Sequence, residues 1–448
     1  MPFFFIFLCI IIFDPSSFFG SDKLWDAASI LILALGCLRY FPIRSSKIYY
    51  TPLVNVKGMV LFLLLLSLFI ISLFRTHSFL NTNLSIVKNA SIIILMPLFL
   101  YLFYQYENEN QRHRSIESQF IMLIINVLGF FCIVNVLSFI LNPTFDSSAA
   151  TTLRFIGINT RRILFTLNPS IHPGIIGALG GYLFVLSTSY LKHIKNYSSR
   201  VKIRLYIYAI AGIVIVLMSD SRTILFSSFL CVGGLYFLSS INKLSLLRYI
   251  IWIIPFSNII FMSAMQYTAS TSVASSISRN DGADIATGNS RKFIYMAANK
   301  ELADFKPIHM IGFGEYGPYA AGLTKYYLTE KFFKESEKEK LISSVTHNTG
   351  LQVIFDIGYI GLTIYLLLLS TLFNQLNKMN NQGQASILPL AYLITYIIIL
   401  GTSETYFGNY TTIHNYLFFS LTFFIVISYN NHLYKRQLGN KKYDKAIA

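Results

Sequence analysis

The chain has 448 residues, of which 54% are hydrophobic and only 12% charged, with a net charge of +16. Soluble domains carry about 25% charged residues, so this composition excludes an ordinary soluble globule. The excess of positive charge does not point to nucleic acid, because the basic residues sit mainly in loops between long apolar runs, the pattern that orients a membrane protein.

The runs approach the length of about 20 residues at which a helix crosses a bilayer, and they lack the short alternation of a membrane barrel. The sequence predicts an all-α, polytopic membrane protein with about twelve spans. These are 2–19 (interrupted at Asp14-Pro15), 24–41, 53–74, 84–106, 117–142, 170–190, 203–219, 223–239, 246–265, 348–373, 385–401 and 414–430. The first run has no basic leader and no small-residue cleavage site, so it is expected to be a span and not a signal peptide. Cys9, Cys37, Cys132 and Cys231 all fall in apolar runs and show no metal-ligand or disulfide spacing. They are expected to be packing residues.

The tail 431–448 carries Lys435, Arg436, Lys441, Lys442 and Lys445. Putting it in the cytoplasm makes the loop charges self-consistent. The expected organisation is spans one to nine over 1–265, a long outer loop over 266–347, spans ten to twelve over 348–430, and the basic tail. Within the loop, NSRKFIYMAANKELADF reads as an amphipathic helix with Asn289 or Ser290 as its cap. PIHMIGFGEYGPYAAG reads as a turn region, and TEKFFKESEKEKLISS as a solvated charged helix.

Certain basic residues then face outward, against the charge rule: Arg154, Arg161, Arg162, Arg222, Arg291 and Lys292. His172, Arg222, His347 and His414 each stand where a helix begins on that side. A cation in a first helical turn opposes the macrodipole at a cost of about 0.3–1 kcal/mol. Gathered together, cations and helix beginnings make an anion site, and arginine grips phosphate bidentately. Each residue also has a plainer reading. The arginines could meet lipid headgroups, and the histidines could be interface residues. His347 is the sharpest candidate, because Asn348 and Thr349 can cap the helix that it precedes. Asp356 and Glu404 are second-rank polar candidates, and Asp281 and Asp284 fail the EF-hand spacing. Tyr316, Tyr319, Tyr326 and Tyr327 can stack on sugar faces or anchor at the interface.

SDSRT at a short outer turn, then NSRKFIY, IGFGEYG and HNTGLQVIFDIGYIGL in that order, resemble the O-antigen ligase and polymerase superfamily over roughly the carboxy-terminal three-fifths of the chain. The opening spans match it only in hydropathy. The resemblance implies a metal-independent glycosyltransferase, without cofactor, of the related GT-C-like integral-membrane architecture. Such an enzyme would act on glycans carried by undecaprenyl diphosphate at the periplasmic face of the bacterial inner membrane.

The family's arginines map onto Arg222 and Arg291 and its histidine onto His347, as the catalytic set. Arg154, Arg161, Arg162, His172, Lys292, Tyr316, Glu404 and His414 would then line the diphosphate and glycan site. In that family a tryptophan often follows the loop-helix arginine by a few residues; here the aromatic is Tyr295. The reading favoured is an O-antigen polymerase joining repeat units, with lipid-linked donor and acceptor and a chain-length regulator as partners. An O-antigen ligase that transfers the glycan to lipid A core uses the same donor, as does a protein O-oligosaccharyltransferase. A flippase for the same lipid would instead show charged residues deep in several spans and an inverted repeat.

Overall fold

A computed structural model describes residues 2–15, 22–41, 56–75, 83–109, 115–144, 163, 165, 167, 173–193, 198–219, 221–240, 246–270, 291–323, 346–408 and 413–447. It is 88% helical, with no strand among the described residues. In chain order the long helices are α1 (Pro2–Phe13), α2 (Asp22–Tyr40), α3 (Val56–Phe74), α4 (Asn83–Glu109), α5 (Ile116–Leu141), α6 (Pro173–His193), α7 (Ser199–Met218) and α8 (Arg222–Ser240). One α-turn (Leu247–Ile250) and a 3-10 stretch (Ile251–Phe256) lead into α9 (Ser257–Ala269). Then come α10 (Arg291–Ala303), α11 (Thr349–Asn381), α12 (Leu388–Gly401) and α13 (Ile413–Ile447).

Among the described residues, seven helical stretches are long and apolar enough to cross a membrane: Val56–Phe74, Ile86–Asn108, Ile116–Leu141, Pro173–His193, Ser199–Met218, Leu247–Thr268 and Thr349–Asn381. Pro2–Phe13, Thr223–Leu238 and Leu388–Gly401 are shorter apolar helices. The chain is an all-α, multi-pass membrane protein. A helix overlaps each of the twelve stretches read from the sequence, and seven of the described helical stretches have the length and composition to cross.

Side chains that are apolar all round a helix need either protein or lipid on every face. The centre of the bundle is α13, buried on all sides from Ile413 to Asn431, with α12 and α11 against it. Aromatic rings fill the gaps: Phe120 stacks on Phe424 at 4.0 Å, and Tyr365 on Phe407 at 4.7 Å. Where α6 meets α7, Gly180 and Gly212 bring the backbones together, since a side chain on either would strike the other helix. Cys37, Cys132 and Cys231 are buried and free, as packing residues.

The stretch expected to form one unbroken span over 348–373 is longer and is interrupted. α11 breaks at Gly358, where φ is 78° and ψ −179°. A Cβ there would lie 2.3 Å from the carbonyl oxygen of Met310, so only glycine fits. The break frees the carbonyls of Phe355 and Asp356, which accept from Phe313 N at 2.6 Å and Gly314 N at 3.0 Å. A helix interrupted at membrane depth must have its freed groups met by protein. The Gly-rich turn region does this, and Arg75 at the end of α3 pins it, donating to the carbonyls of Ile311 (2.9 Å) and Gly312 (2.6 Å). The part after the break, 359–381, is by itself long enough for about 30 Å of hydrocarbon.

Candidate active site

The half-helix before the break starts at the capping residue foreseen in the sequence. Asn348 has extended φ/ψ, and its side-chain oxygen accepts from Leu351 N at 3.0 Å. Its side-chain nitrogen donates to Ser257 Oγ and to the Thr402 carbonyl, both at 2.9 Å. One asparagine thus ties the start of α11 to the start of α9 and the end of α12. Thr349 does not cap. Its hydroxyl donates to the Glu404 carbonyl (3.3 Å) and accepts from Tyr406 N (3.1 Å), fastening the loop after α12.

His347 stands just before the cap, with φ of 51°. A left-handed histidine is uncommon and costs about 1–3 kcal/mol, so its surroundings must hold it there. On one side, the Tyr295 hydroxyl donates to the His347 carbonyl at 2.8 Å. Burial pushes that hydroxyl well above its ordinary range, which keeps it a donor. On the other side, Thr346 N donates to Gln352 Oε1 at 3.1 Å, and Gln352 Nε2 donates to both oxygens of Asp356, at 3.0 and 3.1 Å. Gly317 N also donates to Asp356 Oδ1 at 3.0 Å. Thr346, Gln352 and Asp356 are all buried. Asp356, a second-rank polar candidate in the sequence, is an internal acceptor that joins the Gly-rich turn to the approach to His347.

The chemistry gathers at Glu404. One of its oxygens lies 2.7 Å from His347 Nδ1, and the other pairs with the Arg291 guanidinium. Side-chain exposures of 37% for His347, 26% for Glu404 and 12% for Arg291 make this a site open on one side and walled on the other. A carboxylate only accepts hydrogen bonds, so Nδ1 carries a proton; in the neutral imidazole Nε2 then keeps its lone pair. Arg291 is the first residue of α10 and also lies over Phe261, 5.7 Å from the ring centre. Lys292 follows in the same turn, half-buried.

Arg222 opens α8, and its backbone lies at the same end of the bundle. Ser228 Oγ is 3.1 Å from Tyr396 Oη, and Cys231 Sγ is 3.3 Å from the Tyr392 carbonyl. These pairings make α8 and α12 antiparallel, so the start of α8 is level with Thr402–Glu404. Gly401 in turn packs against Thr349. The structure therefore joins Arg291 and His347 through Glu404 and sets the Arg222 backbone at their end.

Other sequence candidates go elsewhere. Tyr316 sits in the Gly-rich turn near Glu315 and Asp356, and burial and those carboxyls push its hydroxyl up to about 12. His414, expected to face substrate, is buried instead. Its Nδ1 is 2.7 Å from the Tyr182 hydroxyl, and the Tyr406 ring packs edge-on against it at 4.6 Å. The loop after α12 folds over that helix beginning and takes it from the surface. Arg154, Arg161, Arg162 and His172 lie outside the described residues, as do Asn289, Ser290, Asp281, Asp284, Tyr326 and Tyr327.

Arg75 and Gln352 were not singled out in the sequence. Arg75 ends an apolar run like any boundary cation; that the expected topology puts it on the outer side, with the basic residues that break the charge rule there, was its only signal. No family model matches the chain, and no curated protein matches it.

Proposed function

We propose that the protein is a glycosyltransferase that joins oligosaccharide repeat units carried on undecaprenyl diphosphate, an O-antigen polymerase of the inner membrane. In this reading the chain crosses twelve times with its basic tail in the cytoplasm, which would put 266–347 and the loop after α12 on the periplasmic side. The observation that carries the reading is the single carboxylate of Glu404 bonded to both Arg291 and His347 at the end of the bundle where α8 begins.

The step is a displacement at the anomeric carbon of the donor glycan. A hydroxyl of the acceptor unit attacks, the bond from that carbon to the diphosphate oxygen breaks, and undecaprenyl diphosphate leaves. His347 Nε2 accepts the hydroxyl proton, and Glu404 holds the tautomer that makes this feasible and steadies the imidazolium that forms. Positioned proton transfer of this kind contributes about 10²–10⁴-fold. The diphosphate gains charge as it leaves, and fixed cations facing growing charge are often the largest catalytic term. Glu404 offsets one of these cations, so the positive surplus comes from Arg222 and Lys292 as well as Arg291. A guanidinium has five N–H donors, and the bond to Glu404 uses only part of that capacity. All of these groups come from the chain itself, so the scheme needs no metal or cofactor.

The test is the surface polysaccharide of a strain lacking the gene. Loss of a polymerase leaves a single repeat on the lipid A core. Loss of a ligase leaves none, with long chains stranded on the lipid carrier. An unchanged ladder overturns both.

A further inference from the structure

We infer that α10 and the turn after it are seated in bilayer lipid, as an interfacial segment, and are not a water-exposed loop. α10 has two faces. Ile294, Tyr295, Ala297 and Ala298 turn inward onto Leu323, Leu351 and Phe355. The opposite face exposes Phe293 and Met296, and the chain beyond exposes Phe305, Met310 and Ile311. Met296 is 56% and Phe305 60% exposed. Lys300, Asp304 and Lys306 are exposed along this apolar strip, a mixture of large apolar and charged side chains that suits the boundary of a membrane.

The flanks of the strip say what covers it. On one side lies α9: Asn258 donates to Asn299 at 3.1 Å, and Phe261 packs edge-on against Tyr295. That helix belongs to a stretch apolar enough to cross the membrane, and it exposes Ile259 and Ile260 on its faces away from α10. On the other side the Phe305 ring stacks on Tyr359, next to the exposed Ile360 on the crossing part of α11. The strip therefore joins two outward-facing surfaces of membrane-crossing helices. It lies at the level where α3 ends, because Arg75 holds Ile311 and Gly312. Hydrocarbon that wets both flanks wets the strip between them. The charges complete the pattern: Arg291, Lys292 and Lys300 sit along the helix where phosphate headgroups would meet them.

The consequence is a lateral opening. Arg291, at the start of this helix, is held at headgroup level, so a lipid-linked diphosphate reaches it without its tail leaving the leaflet. The seating of α10 rests on the membrane reading alone, and it stands or falls separately from the transferase reading.

The experiment uses the full chain in which Trp25 is changed to Phe, leaving Trp252 in the 3-10 stretch as a lipid-facing reference. In a second background with Trp252→Phe as well, Phe293→Trp, Met296→Trp and Phe305→Trp are made singly. Each protein is reconstituted into phosphatidylcholine–phosphatidylglycerol vesicles with plain or brominated acyl chains. Bromolipid is expected to quench the new tryptophans by at least about half as much as it quenches Trp252, with little quenching by aqueous acrylamide. Quenching by acrylamide and not by bromolipid would place the strip in water. Quenching by neither would mean that protein covers it. Either result overturns the inference, and three positions keep it testable if one variant does not fold.

Discussion

The carboxylate of Glu404 meets the imidazole of His347 at 2.7 Å across 57 positions of chain, and it does so while paired with Arg291. A residue that looked like one polar side chain in a loop is the junction of the site. Glu404→Gln keeps the shape and removes the charge. It should lower turnover about 10–100-fold with little change in substrate affinity, because it weakens the imidazolium and not the ground state. Glu404→Asp should fall between the two. Kinetics of the purified variants with lipid-linked substrate check this, and equal turnover for Glu404→Gln would remove the carboxylate from the mechanism.

Arg291→Ala leaves Glu404 partly buried beside a gap. It should cost about 1–3 kcal/mol of stability as well as activity, since an orphaned charge loses more than a bond. Adding Glu404→Ala should recover part of the stability and none of the activity. Thermal unfolding in detergent reads the first effect, and strict additivity of the two changes would mean that they do not interact.

The chain of bonds from Asp356 through Gln352 to Thr346 has a fixed direction of donors and acceptors. Asp356→Asn sets two amide groups against each other and should cost about 1–3 kcal/mol, with a matching loss of turnover. Gln352→Glu added to it keeps an acceptor for Thr346 N and makes the 352–356 contact an amide donating to a carboxylate. The double variant should regain most of both. If Asp356 were the reaction's base, the exchange would restore stability alone.

Tyr316 gives a test by pH. Its hydroxyl ionises at about 12 in the folded protein against about 10 in an unfolded chain. Below pH 10 both states are protonated, and this group makes no difference to the pH profile. Between 10 and 12 the unfolded state ionises first, so folded stability falls as pH rises, by up to about 2–3 kcal/mol. Tyr316→Phe should flatten that fall, and identical melting profiles for the two proteins above pH 10 would contradict it.

Much of the fold could be seen in the chain, because a run of apolar residues announces a membrane helix by length alone. The break at Gly358 could not. Hydropathy averages over Asp356-Ile-Gly358-Tyr-Ile-Gly361 as though it were continuous helix, and the reason for the break is the Gly-rich turn some 40 residues earlier. His347 and Arg291 stood out because each is a cation or proton acceptor where a helix starts. That Glu404 links them depends on where α12 ends and how the loop is fastened to Thr349, which local pattern does not encode. His414 shows the reverse. It starts a helix just as His347 is followed by one, yet the Tyr406 ring closes over it. The Tyr295 position, where the resemblance leads one to expect tryptophan, has its own reason here: its hydroxyl holds the His347 carbonyl.

The most direct measurement is turnover by purified protein in vesicles supplied with one defined repeat unit on undecaprenyl diphosphate. The native chain should release undecaprenyl diphosphate in step with the appearance of two-repeat glycan. His347→Ala should bind the same lipid and release none above background. Release by His347→Ala at the native rate, or no glycan joining by the native chain, would contradict the account.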